Sequence, residues 1–178
     1  ARTVAHFFAE RGYATGAMYY WPNPRSIPAG SLACLAQNVS RATYANLFAA
    51  LVPDLGVVTI SQGANAAVNY NGHLLVTGDS FYFSTAGTLP QPLVANTLYY
   101  AIWESVNTFR IATSYANAIA GTTVTVSSAG SGVHHVWVCP FGLGDGSTTF
   151  TLPGPAGRAL VPQDTTIPDF AAIGHVGG

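Results

Sequence analysis

Short apolar, β-branched and aromatic runs alternate along the chain with Gly, Pro, Asn, Ser and Thr, the spacing of a protein built from many short strands. The pattern predicts strands over 57–60, 66–70, 80–84, 98–103, 108–112, 122–126, 134–138 and 148–152. Ser80-Phe81-Tyr82-Phe83 and Thr122-Thr123-Val124-Thr125-Val126 have the strongest β propensity of these. Two further strands are expected earlier: Met18-Tyr19-Tyr20-Trp21, closed by Pro22 and Pro24, and Leu32-Ala33-Cys34-Leu35, entered through the turn Pro28-Ala29-Gly30-Ser31. One helix interrupts the series. Tyr44, Leu47, Phe48 and Leu51 recur at the i, i+3, i+4, i+7 spacing of a buried stripe, with Ser40 as the expected N-cap and Pro53 as the stop. So short a helix depends on packing that stripe against a sheet.

Composition narrows the setting. Only 7% of the 178 residues are charged, against about 25% in an average soluble domain. There is no Lys, and the six basic residues are all Arg (Arg2, Arg11, Arg25, Arg41, Arg110 and Arg158). Interfaces favour Arg and aromatics and are depleted in Lys, whereas a free monomer with so few charges is poorly protected against association. The chain therefore reads as one protomer of a larger assembly. The net charge of −1 and the scattered arginines argue against a nucleic-acid partner. No apolar run approaches the roughly 20 residues that span a bilayer, so membrane insertion is not expected. The opening segment, with Arg2, His6, Glu10 and Arg11, lacks the apolar centre of a secretory leader.

Candidate chemistry is sparse. Asp79 and Asp145 sit in Gly-flanked turns, where a carboxylate bonding its own backbone is the ordinary use. A glycosidase would need two carboxylates brought together by the fold along a groove, and the chain is expected to be no enzyme and to carry no cofactor. His134 and His135 are adjacent, so on a strand they face opposite ways and cannot hold one ion together. A metal site would take one of these histidines from each chain at a symmetry axis; otherwise none is expected. Cys34 and Cys139 lie in apolar stretches and read as buried thiols, with a disulfide between them left open. Tyr99, Tyr100 and Trp103 are candidates for stacking on sugar rings, the alternative being core and interface packing.

Two separated stretches carry a family resemblance. Ile27-Pro28-Ala29-Gly30-Ser31-Leu32-Ala33-Cys34-Leu35 continues to Val39-Ser40-Arg41-Ala42-Thr43-Tyr44-Ala45-Asn46-Leu47-Phe48. Far along the chain stands Phe141-Gly142-Leu143-Gly144-Asp145-Gly146-Ser147-Thr148-Thr149-Phe150-Thr151-Leu152-Pro153, then Gly157-Arg158. Together they resemble the tail-collar domain of tailed bacteriophages. In that motif Ser40 would cap, Tyr44, Leu47 and Phe48 would pack, and Gly144-Asp145-Gly146 would turn through positive φ.

The residues between the halves resemble a module of phage tail-fibre proteins. Gly72-His73-Leu74-Leu75-Val76-Thr77-Gly78-Asp79 is similar to its His-Gly-Leu-x-x-Gly-Asp theme, with the His and Gly transposed. Phe83-Ser84-Thr85-Ala86-Gly87-Thr88-Leu89-Pro90, Asn107-Thr108-Phe109-Arg110-Ile111 and Gly130-Ser131-Gly132-Val133-His134 are similar too.

The fold expected is mostly β: a tail-collar-like α+β unit with one short helix (27–53 plus 140–160), carrying an inserted small β-sandwich or barrel (54–139). An anchor segment (1–26) and a Pro/Gly-rich tail (161–178) flank them. The resemblance implies a structural component of a phage tail, as a tail fibre, collar or baseplate protein. Such a protein would be made in the cytoplasm of the host bacterium and built into the virion as a homotrimer among other tail proteins, with possible contact to a host-surface glycan or protein. The alternatives are a carbohydrate-binding receptor-recognition protein and a head decoration or capsid-fibre protein.

Overall fold

A computed structural model of the chain describes residues 14–18 and 29–154. The expected strand residues 19–21, most of the 1–26 segment, Gly157-Arg158 and the 161–178 tail lie outside the described residues. The fold is mostly β. In chain order its elements are β1 (Asn38–Ser40), α1 (Ala45–Leu51), β2 (Asp54–Ile60), β3 (Ala67–Asn69), β4 (Ser80–Thr85), β5 (Tyr99–Ser105), β6 (Thr108–Ala112), α2 (Tyr115–Ile119), β7 (His134–Val138) and β8 (Thr149–Thr151).

Six strands close into a barrel in the order β2-β3-β6-β5-β4-β7, every pairing antiparallel. A barrel of this size is filled by its own side chains. Phe81 and Phe83 from β4, Tyr99 and Ala101 from β5, Phe109 and Ile111 from β6, Val68 from β3 and Val136 from β7 supply that filling. The alternation expected of a strand holds: on β7, His134 and Val136 face inward and are buried, while His135 and Trp137 face out.

β4 and β7 are exceptional because both of their faces are covered. Tyr82 and Trp137 sit opposite each other in register on the outer wall, with rings stacked at 6.1 Å and 9°. A second core forms over them from Cys34, Leu47, Val52, Cys139, Phe150 and Leu152. The sheet against which the helix stripe packs is thus the outside of the barrel. Leu47 is buried, and Phe48 lies 5.8 Å from Trp137 and 5.4 Å from Phe150. β1 and β8 pair antiparallel beside the helix, with Asn38 opposite Thr151 and Ser40 opposite Thr149. The chain enters and leaves the barrel side by side, where Val138 N donates to Pro53 O at 3.0 Å.

Four local readings are corrected. Residues 32–35 form no strand: the Gln37 side chain takes the place of a neighbouring strand, donating to Ala33 O and accepting from Leu35 N. β1 begins only after that loop. Residues 122–126 make no strand either, despite their propensity. They meet the barrel through Val124 N, which donates to Ile111 O at 2.8 Å, and one isolated bridge, Val126 to Gly63, and bury Val126 against the barrel interior. Propensity measures how well a side chain suits a pleated surface, but a strand also needs a partner edge. The barrel offers this segment backbone bonds only at Ile111 and Gly63, too few for a ladder. Ser40 is not the N-cap of α1. It ends β1 and its Oγ accepts from Thr43 N at 3.2 Å, so it closes the turn before the helix. The cap position is Tyr44, without a side-chain cap bond. Finally, α2 was not anticipated; Ser114 caps it by accepting from Asn117 N at 3.1 Å.

Candidate functional site

The stretches on either side of the barrel in sequence meet around Arg41. Its backbone N donates to Thr148 O at 2.8 Å, and its Nε donates to Thr149 O at 2.9 Å across 108 residues of sequence. The guanidinium lies 4.7 Å over the Phe48 ring and 5.5 Å from that of Tyr82. One side chain therefore ties the helix, the barrel wall and β8 together through hydrogen bonds and cation–π contact. Among the described residues no carboxylate pairs with it.

Asp145 organises the turn leading into β8. Its Oδ1 accepts from Ser147 N, Thr148 N and Thr149 N at 2.9, 2.7 and 2.8 Å, and the Thr148 hydroxyl donates to Oδ2. These bonds favour the charged form, the Thr148 hydroxyl most, and hold the carboxyl well below the usual carboxylate range. The stability this contributes is complete above the unfolded value near ~4 and is lost as pH falls below it toward the folded value. Burial raises Asp79, whose Oδ2 accepts from Val76 N at 2.9 Å, so that group acts in the opposite sense. The variant Asp145→Asn isolates the turn. Its urea midpoint should fall less between neutral and acid pH than that of the parent chain; equal falls would mean that the turn carboxylate does not matter to folding.

The histidines divide as the strand geometry requires. His134 points inward, bonded through Nδ1 to Thr85 Oγ1 at 2.8 Å, and burial lowers its pKa. His135 points outward, with Nδ1 on Asp54 Oδ2 at 2.8 Å. They do not converge, and among the described residues no group of three or more His, Cys, Asp or Glu side chains could hold one metal ion. His73 is buried; Nε2 faces Ser105 O at 2.8 Å and Nδ1 accepts from Leu75 N at 3.0 Å, which pins the 72–75 segment to the end of β5.

Cys34 and Cys139 are both free and both buried in the second core. Burial pushes their thiols up to about 11 and about 12. Since the thiolate is the reactive form, neither should react with an aromatic disulfide reagent in the native protein at ~pH 8, and both should react in denaturant. A rapidly titrating thiol in the native state would show that the second core opens.

The proposed sugar-stacking trio does not form one surface. Tyr99 belongs to the barrel core, 5% exposed, with its hydroxyl accepting from Val94 N at 2.9 Å. Tyr100 faces the other way and packs edge-on against Tyr115 of α2 at 6.3 Å. Only Trp103, 54% exposed at the end of β5, is open to solvent. A recessed surface does exist elsewhere on the outer wall, lined by Val57, Asn69, Tyr70, Asn71 and Asn107. In the sequence these residues read as strand ends and turns, and no pattern links them.

Compared with known protein families, curated proteins and solved structures, the chain matches none.

Proposed function

We propose that this chain is a non-catalytic structural component of a bacteriophage tail, acting in virion assembly and host attachment as a homotrimer among other tail proteins. The observation that supports this reading is the meeting of the two collar-like stretches. Ser40 pairs with Thr149, and Arg41 bonds Thr148 and Thr149, so residues distant in sequence compose one small unit around the Arg41–Asp145 region. In this reading 27–53 and 140–160 are the collar-like unit, 54–139 is an inserted fibre-type module, 1–26 anchors the protein to a neighbour in the virion, and 161–178 is a tail. The low charge then follows from burial of surface between protomers and tail proteins.

The test is immunogold labelling of purified phage particles that encode the chain, together with the mass of the isolated protein in solution. Gold on the tail and a mass of three chains of 18.5 kDa are expected. Gold confined to the head would favour a decoration role, and a stable monomer that labels no particle would overturn the proposal.

A further inference from the structure

From the cleft between β2 and the continuation of β3, we infer that the barrel carries a binding site for a neutral sugar ring, such as the terminal pyranose of a surface glycan. The inference rests on the attachment role proposed above and locates it on particular residues.

The cleft arises from a parting of strands. β2 and β3 pair only at Thr59–Asn69 and Ile60–Val68. Continued in the same register, the pairing would set Asn71 opposite Val57. Instead, Tyr70 N donates to Asn107 O at 2.9 Å, and Gly72 N donates to Val106 O and to Asn107 Oδ1, each at 3.1 Å. The chain after β3 thus leaves β2 and fastens to the β5–β6 turn. The gap has a volume of about 510 Å³, lined by Val57, Asn69, Tyr70, Asn71 and Asn107, within the roughly 300–1,000 Å³ of small-molecule sites.

Its lining selects the ligand class. No charged side chain contributes, so phosphates and carboxylates find no counter-charge. Three amides do contribute. Each presents a donor group beside an acceptor, the match for hydroxyls that both donate and accept. The Asn71 amide and the Asn107 Nδ2 have no bonding partner among the described residues, and the Asn69 Nδ2 reaches Thr59 O only at 3.5 Å. These groups are free to exchange water for ligand hydroxyls. Val57, 59% exposed on the outer face, supplies an apolar surface for the C–H face of a sugar, beside Tyr70, whose ring packs against the barrel core.

The ring is placed by the backbone beneath it. β2 shifts register between Asp54 and Gly56, where Asp54 Oδ1 accepts from Gly56 N at 2.8 Å. A Cβ at Gly56 would stand 3.4 Å from Tyr70 Cε2, so the ring rests on the bare glycine. Bulges of this kind often re-aim side chains beside binding sites. The cleft is open to solvent, which leaves the remainder of a glycan unhindered. Affinity at a single site of this kind is weak, and a symmetric oligomer multiplies it.

The experiment is saturation-transfer NMR and calorimetric titration of the full chain with methyl glycosides of glucose, galactose, mannose and N-acetylglucosamine. At least one should bind with Kd of roughly 1 mM. Asn71→Ala, which removes an exposed side chain without an internal partner, should weaken that binding at least tenfold. Trp103→Ala should leave it unchanged, and circular dichroism should show both variants folded. No binding of any of the four glycosides overturns the inference, as does binding that survives Asn71→Ala or is lost in Trp103→Ala. A chain that labels phage tails but binds no sugar sinks this site alone. One that binds sugar and labels no particle sinks the tail assignment alone.

Discussion

Truncating Phe81 to alanine is expected to lower the stability of the folded chain by about 3–5 kcal/mol, with a fall in Tm on the order of 10 °C. Phe81 is fully buried near the start of β4, and its ring meets Phe83 at 5.3 Å, Phe109 at 5.3 Å and Tyr99 at 6.2 Å. The contacts with Phe83 and Phe109 are edge-to-face, the arrangement that the ring quadrupoles favour. Removing the ring leaves a void that three other rings border. Those rings lie on strands locked into a closed ladder, so they collapse into it poorly, and cavity cost adds to lost burial. Val57→Ala, on the outer face of β2, should change stability by less than ~0.5 kcal/mol. Denaturant titration of both variants decides the matter: a loss under ~1 kcal/mol for Phe81→Ala would mean that the barrel interior is not the principal core.

The second large effect is expected at Gly144, where alanine should cost about 2–5 kcal/mol. Gly144 has φ of 68°, a conformation that a Cβ disfavours, and that Cβ would lie 2.5 Å from Thr149 O and 2.6 Å from Thr149 C. The obstructing atoms are backbone of β8 and cannot swing aside. Thr149 O is also the acceptor for Arg41 Nε, and Thr149 is the register partner of Ser40. Relief of the clash therefore pushes β8 away from β1 and loosens the tie between the segments that precede and follow the barrel. Gly30→Ala is the control, since it shares a positive φ of 79° but meets nothing within 4 Å. The excess loss in Gly144→Ala over Gly30→Ala measures the backbone collision, and faster hydrogen exchange at the Arg41 and Thr149 amides should accompany it. Equal losses in the two variants would rule the collision out.

Much of the barrel was legible in the sequence because its strands are amphipathic or wholly buried. Thr108–Ala112 and His134–Val138 alternate in the way that one filled interior demands, and their observed bounds match the pattern. The Phe-Tyr-Phe of β4 is apolar throughout because Phe81 and Phe83 fill the barrel while Tyr82 serves the second core. The helix stripe was legible for the same reason, although its cap was misplaced. Ser40 has the right chemistry, but its carbonyl and hydroxyl are spent on Tyr44 N and Thr43 N in the preceding turn.

The candidate sites were far less legible. Side chains at Tyr99 and Trp103 share a strand parity, yet one is sealed in the core and the other, opposite Phe109 and beside a register shift, is left exposed. Periodicity reports which face a residue takes and does not report how well that face is covered. Asn69 ends a strand, and Asn71 and Asn107 look like turn residues because they are turn residues; their convergence depends on the hydrogen bonds that draw the 70–72 segment to the β5–β6 turn.

By itself the sequence determined a mostly β chain of short strands, one packed helix and an Asp145 turn, since these follow from side-chain periodicity and from bonds made within a few residues. The tertiary structure alone decided which edges pair. It closed the barrel, left 122–126 with isolated bonds and no ladder, and joined Arg41 to Thr149. It also parted β2 from the chain after β3 to open a polar cleft. Strand pairing is a contest among edges distant in sequence, settled by the whole set of burial and hydrogen-bond demands at once, and no local pattern encodes its outcome.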